Sequence, residues 1–140
     1  MTIAVSELSI LVADDNTEMR NSVVRVLTSA VPDVRLLEAH NGNLAMEIVT
    51  ARKPLLAILD GYMQPGPSGP EIVRFLKRER SDIRTRCLVT SADRLMCANA
   101  RELGADVLPK PYDVEHLKAY VRSVVGHAQH YGNGKHPNGK

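Results

Sequence analysis

Five residues in this sequence carry chemistry by type and position: the pair Asp14-Asp15, then Asp60, Thr90 and Lys110. Each stands where a short apolar run ends. Ser9-Ile10-Leu11-Val12-Ala13 precedes the acidic pair, Leu55 to Leu59 precedes Asp60, Cys87-Leu88-Val89 precedes Thr90, and Val107-Leu108 leads through Pro109 to Lys110. Three carboxylates in one crevice repel one another and raise their pKa values. A Mg²⁺ ion fits such a set, because it is a hard cation that takes oxygen ligands and keeps several waters. Lys110 adds a point charge able to contact a phosphoryl oxygen, and Thr90 adds a hydroxyl donor. An Asp carboxylate beside a metal and a lysine is a nucleophile toward a phosphoryl group. The metal and the lysine would stabilise charge on the transferred group. The residues thus point to Mg²⁺-dependent phosphorylation of an aspartate and leave the phosphoryl source open. Singly they are bland: an Asp-Asp pair before a helix is ordinarily an N-cap with a solvated neighbour, and Lys110-Pro111 alone is a turn. Joint placement at strand ends carries the reading.

The elements that must position these residues alternate five times between apolar run and helical stripe. Met19, Val23, Leu27 and Ala30 recur at helical spacing after Asp14-Asp15-Asn16, and Pro32-Asp33 stops them. Val34 to Ala39 predicts a second strand. Asn41-Gly42 turns the chain, and Leu44, Ala45, Ile48 and Val49 mark a helix closing at Lys53-Pro54. After Asp60 comes a loop from Gly61 to Gly69, then the stripe Ile72, Val73, Phe75 and Leu76 with Lys77, Arg78 and Arg80 in its last turn, where they complement the helix dipole. Met96, Ala100 and Leu103 form a fourth stripe ended by Gly104, and Val114, Leu117, Val121 and Val124 a fifth. Strands apolar on both faces, alternating with helices, predict an α/β domain with a doubly wound five-stranded parallel sheet and helices on both faces.

Composition narrows the class further. The 140 residues fit one domain, with 44% hydrophobic and 24% charged residues. A net charge of +2, from 18 Lys+Arg against 16 Asp+Glu, gives no case for direct nucleic-acid binding or an anionic membrane. Cys87 and Cys97 make no disulfide framework and no metal-ligand spacing. No apolar run reaches a membrane span of ~18 residues, and the N-terminus lacks a signal pattern, so the expected location is cytoplasmic. Residues 1–7 read as an N-terminal extension, 8–125 as the domain, and the Gly/His/Lys-rich 126–140 as a flexible tail or the start of a linker. Gly66-Pro67-Ser68-Gly69 fails as a serine nucleophile elbow because Pro70 stands at the second required glycine.

At these positions the sequence resembles the response-regulator receiver domain of two-component signalling. The resemblance rests on the five residues and on the strings Ile10-Leu11-Val12-Ala13-Asp14-Asp15-Asn16, Glu38-Ala39 with Gly42 and Ala45, Leu103-Gly104-Ala105-Asp106, and Lys110-Pro111-Tyr112-Asp113. It implies the flavodoxin-like strand order 2-1-3-4-5. It further implies that Asp60 is the phosphoacceptor, that Asp15, Asp60 and the Tyr62 backbone carbonyl ligate Mg²⁺, and that Asp14 acts through a metal-bound water. Thr90 would move toward the phosphoryl group, Lys110 would pair with it, and Lys110-Pro111 would be a cis bond. The implied partners are a histidine kinase or phosphotransfer protein and a downstream protein target, with a homodimer conceivable. The chain would signal as a stand-alone domain and not as an enzyme.

Three departures from the family pattern stand out. Met63 is followed by Gln64, with Pro65 and Gly69 next, so the loop after the acceptor is one residue longer. Val107 replaces the aromatic switch residue common three positions before the lysine, and Gly104 to Lys110 is about one residue shorter than usual. The output face of the resemblance would take in Val107 and Tyr112. These departures motivate an alternative, a phosphorylation-independent interaction module that keeps the acidic pocket. A haloacid-dehalogenase-type phosphohydrolase ranks lower, because that family wants Asp-x-Asp and Tyr62 stands two residues after Asp60.

Overall fold

Each strand alternates which face of the sheet its side chains enter, and both faces are apolar. The computed structural model describes residues 3–131. Its five strands are β1 (Ser9–Ala13), β2 (Arg35–Ala39), β3 (Leu56–Asp60), β4 (Arg86–Ser91) and β5 (Asp106–Pro109), all parallel, in the order β2-β1-β3-β4-β5. Between and after them run α1 (Thr17–Ala30), α2 (Gly42–Arg52), α3 (Gly69–Glu79), α4 (Arg94–Glu102) and α5 (Val114–Tyr131). The predicted fold class and strand order are those observed.

The period-two alternation of strand side chains sorts the core into two layers. Ile10, Val12, Leu56, Ile58 and Leu88 enter the layer closed by α1 and α5, with Leu27, Leu117 and Val121. Leu11, Ala13, Ala57, Leu59 and Val89 enter the layer closed by α2, α3 and α4, with Val49, Ile72 and Ala100. Burying a Val, Leu or Ile side chain fully stabilises the fold by roughly 1.5–3 kcal/mol. Helix starts follow their caps: Asn16, Asn41 and Asp93 each accept from a backbone N–H three residues on, and Ser68 with Glu71 forms a reciprocal capping box.

The chain differs from expectation at its C-terminal end. α5 does not stop near Gly126 but continues to Tyr131. Its buried stripe Leu117, Val121, Val124 and Val125 extends to Ala128, which packs into the α1–α5 layer. Gly126 and the polar residues around it broke the compositional signal, but a single buried alanine one turn further on keeps the helix docked. The expected extension at the other end also packs here: Val5–Glu7 form a 3₁₀ turn, Ile3 and Val5 pack on the same layer, and Ile3 N donates to the Gln129 carbonyl at 2.9 Å. Of the tail expected over 126–140, residues 132–140 lie outside the described residues.

Candidate functional site

Sheet register brings the five residues together. Ala13 pairs with Leu59, Asp60 with Thr90, and Ser91 with Pro109, so the residues that end β1, β3, β4 and β5 meet at one edge. Backbone bonds continue the ladder past the strands. Gly61 N donates to the Thr90 carbonyl at 3.0 Å and Lys110 N to the Ser91 carbonyl at 2.9 Å. Carboxylate oxygens of Asp14, Asp15 and Asp60 all lie within 4.8 Å of one another. Lys110 Nζ donates to Asp60 Oδ1 at 2.6 Å and stands 4.0 Å from Asp14 Oδ2.

The electrostatics follow burial and neighbours. Asp14 is only 7% exposed. Burial raises its pKa, the Asn16 N–H on its Oδ1 at 2.9 Å opposes this, and the Asp60 charge adds to the rise. Burial works against the charge on Lys110, but the Asp60 hydrogen bond and the Asp60 and Asp14 carboxylates outweigh it, and its pKa is raised. Burial thus disfavours the charge on Asp14, and the cluster already engages one lysine.

Other residues supply the setting. Thr90 is buried in register beside Asp60. Lys110–Pro111 is cis. Tyr62 is 57% exposed, and its hydroxyl donates to Asp93 Oδ2 at 3.3 Å, at the N-cap of α4. Val107 packs on the α2–α3–α4 layer and Tyr112 on the α1–α5 layer, on either side of the sheet at its β5 edge. Successive strand positions point to opposite sides, and Tyr112 lies past the end of β5.

The loop from Gly61 to Gly69 closes by backbone contacts. Gly69 N donates to the Gly61 carbonyl at 3.1 Å and seals its base. Beyond Met63, which is fully buried, the chain folds over the N-terminus of α2: Gly42 N donates to the Met63 carbonyl at 2.7 Å and Asn43 N to the Pro65 carbonyl at 3.3 Å. Gln64–Pro65 is also cis, and Gly66 takes a φ of 112°. A Cβ at Gly42 would collide with the Pro67 carbonyl, so this approach requires glycine.

Sequence reasoning missed Arg20. Its Nη1 donates to the Asp14 carbonyl at 2.8 Å and its Nε to Glu38 Oε1 at 3.3 Å, with the side chain 14% exposed. A signal existed: a cation in the first turns of a helix opposes the macrodipole, so Arg20 needed a partner off the helix.

The sequence matches the response regulator receiver domain family over residues 10–122. The chain belongs to this family. Among curated relatives, it is 33% identical over 120 residues to the phosphate regulon transcriptional regulatory protein PhoB of Pseudomonas aeruginosa, covering 84% of this chain and 51% of that protein. It is 32% identical over 117 residues to the response regulator MprA of Mycobacterium ulcerans, covering 83% and 49%. The receiver thus spans about half the length of these relatives. Among solved structures, the signal receiver domain of a response regulator from Bermanella marisrubri superposes with a TM-score of 0.73 at 30% identity, covering 84% of this chain and 97% of that one. The receiver domain of NarL from Mycobacterium tuberculosis gives 0.73 at 28%, covering 85% and 96%. This chain is therefore a receiver domain of the two-component response-regulator type. Among the described residues, no helix is long and apolar enough to cross a membrane.

Proposed function

We propose that this receiver accepts a phosphoryl group on Asp60 and signals by a phosphorylation-biased change in the protein surface it presents. The observation that carries the reading is Lys110 Nζ, 2.6 Å from Asp60 Oδ1, inside a cluster of three carboxylates. The donor set fits Mg²⁺, since hard oxygen ligands converge and the buried Asp14 carboxyl needs a countercharge. Asp15, Asp60 and the Tyr62 carbonyl would hold the ion, with Asp14 reaching it through water. Bound there, Mg²⁺ supplies charge stabilisation to the transferred group.

The chain's own residues do the rest. An Asp60 oxygen forms a bond to phosphorus as the bond from phosphorus to the donor's imidazole nitrogen breaks, and the imidazole takes up a proton. The Lys110 ammonium moves its hydrogen bond from the carboxylate to a phosphoryl oxygen, where charge has gathered. Thr90, beside Asp60 across the β3–β4 register, supplies its hydroxyl to another phosphoryl oxygen. Hydrolysis of the acyl phosphate by water returns the carboxylate and releases phosphate. The donor class is a phosphohistidine on a kinase or phosphotransfer protein, and the product is read by a downstream protein target.

Phosphorus NMR of the chain with acetyl phosphate tests this reading. An acyl-phosphate resonance that requires Mg²⁺ and is missing in Asp60→Asn supports it. Retention of that resonance in Asp60→Asn removes Asp60 from the role.

A further inference from the structure

Gly61 follows the acceptor and carries no side chain, and its vacant position is filled from α4. A Cβ built there would overlap Met96 Sδ and lie 3.0 Å from Ser91 Oγ. Met96 is buried, in the first turn of α4. The backbone around it is tied on both sides. Gly61 N is held by the Thr90 carbonyl and the Gly61 carbonyl by Gly69 N. Asp93, the α4 N-cap, accepts from Met96 N at 3.1 Å and from the Tyr62 hydroxyl at 3.3 Å, and its own N–H donates to Ser91 Oγ at 3.0 Å. Two adjoining residues of the acceptor loop, Gly61 and Tyr62, therefore touch one turn of one helix.

We infer that Met96 is the positioning residue through which the state of Asp60 sets the first turn of α4, by seating its thioether against the Gly61 backbone. A rearrangement of Asp60 moves the peptide that joins it to Gly61, and packed contacts respond by shifting as units because interiors are close-packed. Methionine suits the position: unbranched and polarizable, it follows a moving backbone without leaving a void. The Tyr62–Asp93 bond lies at the surface and adds less. The inference rests on the phosphoacceptor reading above.

The test is amide NMR of the intact chain with and without beryllium fluoride and Mg²⁺, for wild type, Met96→Ala and Gly61→Ala. In wild type, the mimic is expected to displace resonances of Thr90, Gly61 and residues 94–102. In Met96→Ala the displacements at Thr90 and Gly61 remain and those at 94–102 collapse. Undiminished displacement of 94–102 in Met96→Ala overturns the inference, as does an α4 that ignores the mimic in wild type. Absence of any displacement at Thr90 and Gly61 in wild type counts instead against the phosphoacceptor reading. Gly61→Ala approaches from the other side and serves if Met96→Ala does not fold. Its added methyl displaces Met96, so the 94–102 resonances move without any mimic. Unmoved α4 resonances in Gly61→Ala overturn the inference.

Discussion

The loop after Asp60 is held on two sides by different means. Toward α2 it is fixed backbone to backbone, through Gly42 N on the Met63 carbonyl, Asn43 N on the Pro65 carbonyl, and glycines that let the chains close to contact. Toward α4 it is held by side chains, the Met96 thioether against Gly61 and the Tyr62 hydroxyl on Asp93. Backbone contacts have no alternative geometry short of moving whole elements, whereas side chains have rotamers. The α2 flank anchors the loop and the α4 flank can respond. One loop thus supplies a fixed reference and an adjustable contact on either side of the acceptor.

Substitutions at glycine separate the flanks. Gly42→Ala drives a methyl into the Pro67 backbone, which cannot yield, so denaturant unfolding should show a loss of about 3 kcal/mol, the upper end of ordinary overpacking. Gly61→Ala meets the far end of a flexible Met96, and the same measurement should show a loss of about 1 kcal/mol. Equal losses would erase the distinction between the flanks. Tyr62→Phe removes one exposed hydrogen bond and should cost about 0.5 kcal/mol or less.

Arg20→Ala acts on the acid pair rather than the loop. It removes a charge-assisted bond to the Asp14 carbonyl and the pairing to Glu38, so the Mg²⁺ concentration needed for half-maximal labelling should rise roughly tenfold, from about 1.5 kcal/mol of lost positioning. Labelling at saturating Mg²⁺ should be unchanged, and an unchanged Mg²⁺ requirement would leave Arg20 a purely structural residue.

The smallest effect is a control on the sheet below both flanks. Burial pushes the Cys87 thiol up to about 12, with the Asp106 charge adding to the rise. The folded chain holds that proton more tightly than the unfolded chain, so this contribution to stability is full below the unfolded-state pKa and is lost as pH rises toward 12. Alkylation of Cys87 at pH 8 should therefore track global opening, and should quicken in Gly42→Ala more than in Tyr62→Phe.

Much of this arrangement was legible in the residues. The strands ending at Asp14, Asp60, Thr90 and Lys110 were readable because parallel strands buried on both faces are continuous apolar runs, and ligands gather at their C-terminal ends. The continuation of α5 past Gly126 was not, because Ala128 carries too little hydrophobicity to stand out, yet it is buried in the α1–α5 layer. Arg20 escaped because its partners, the Asp14 carbonyl and Glu38, are a backbone atom and a residue 18 positions away. The seating of Met96 was invisible for a related reason. Glycine after the acceptor reads as a turn residue until the helix that fills its place is known.

The most direct test of the central claim is reductive trapping. The chain is incubated with acetyl phosphate and Mg²⁺, treated with borohydride, which converts an aspartyl phosphate to homoserine, and mapped by peptide mass spectrometry. Homoserine at position 60, dependent on Mg²⁺, is the predicted result. Homoserine at Asp14 or Asp15 with residue 60 untouched would contradict the account.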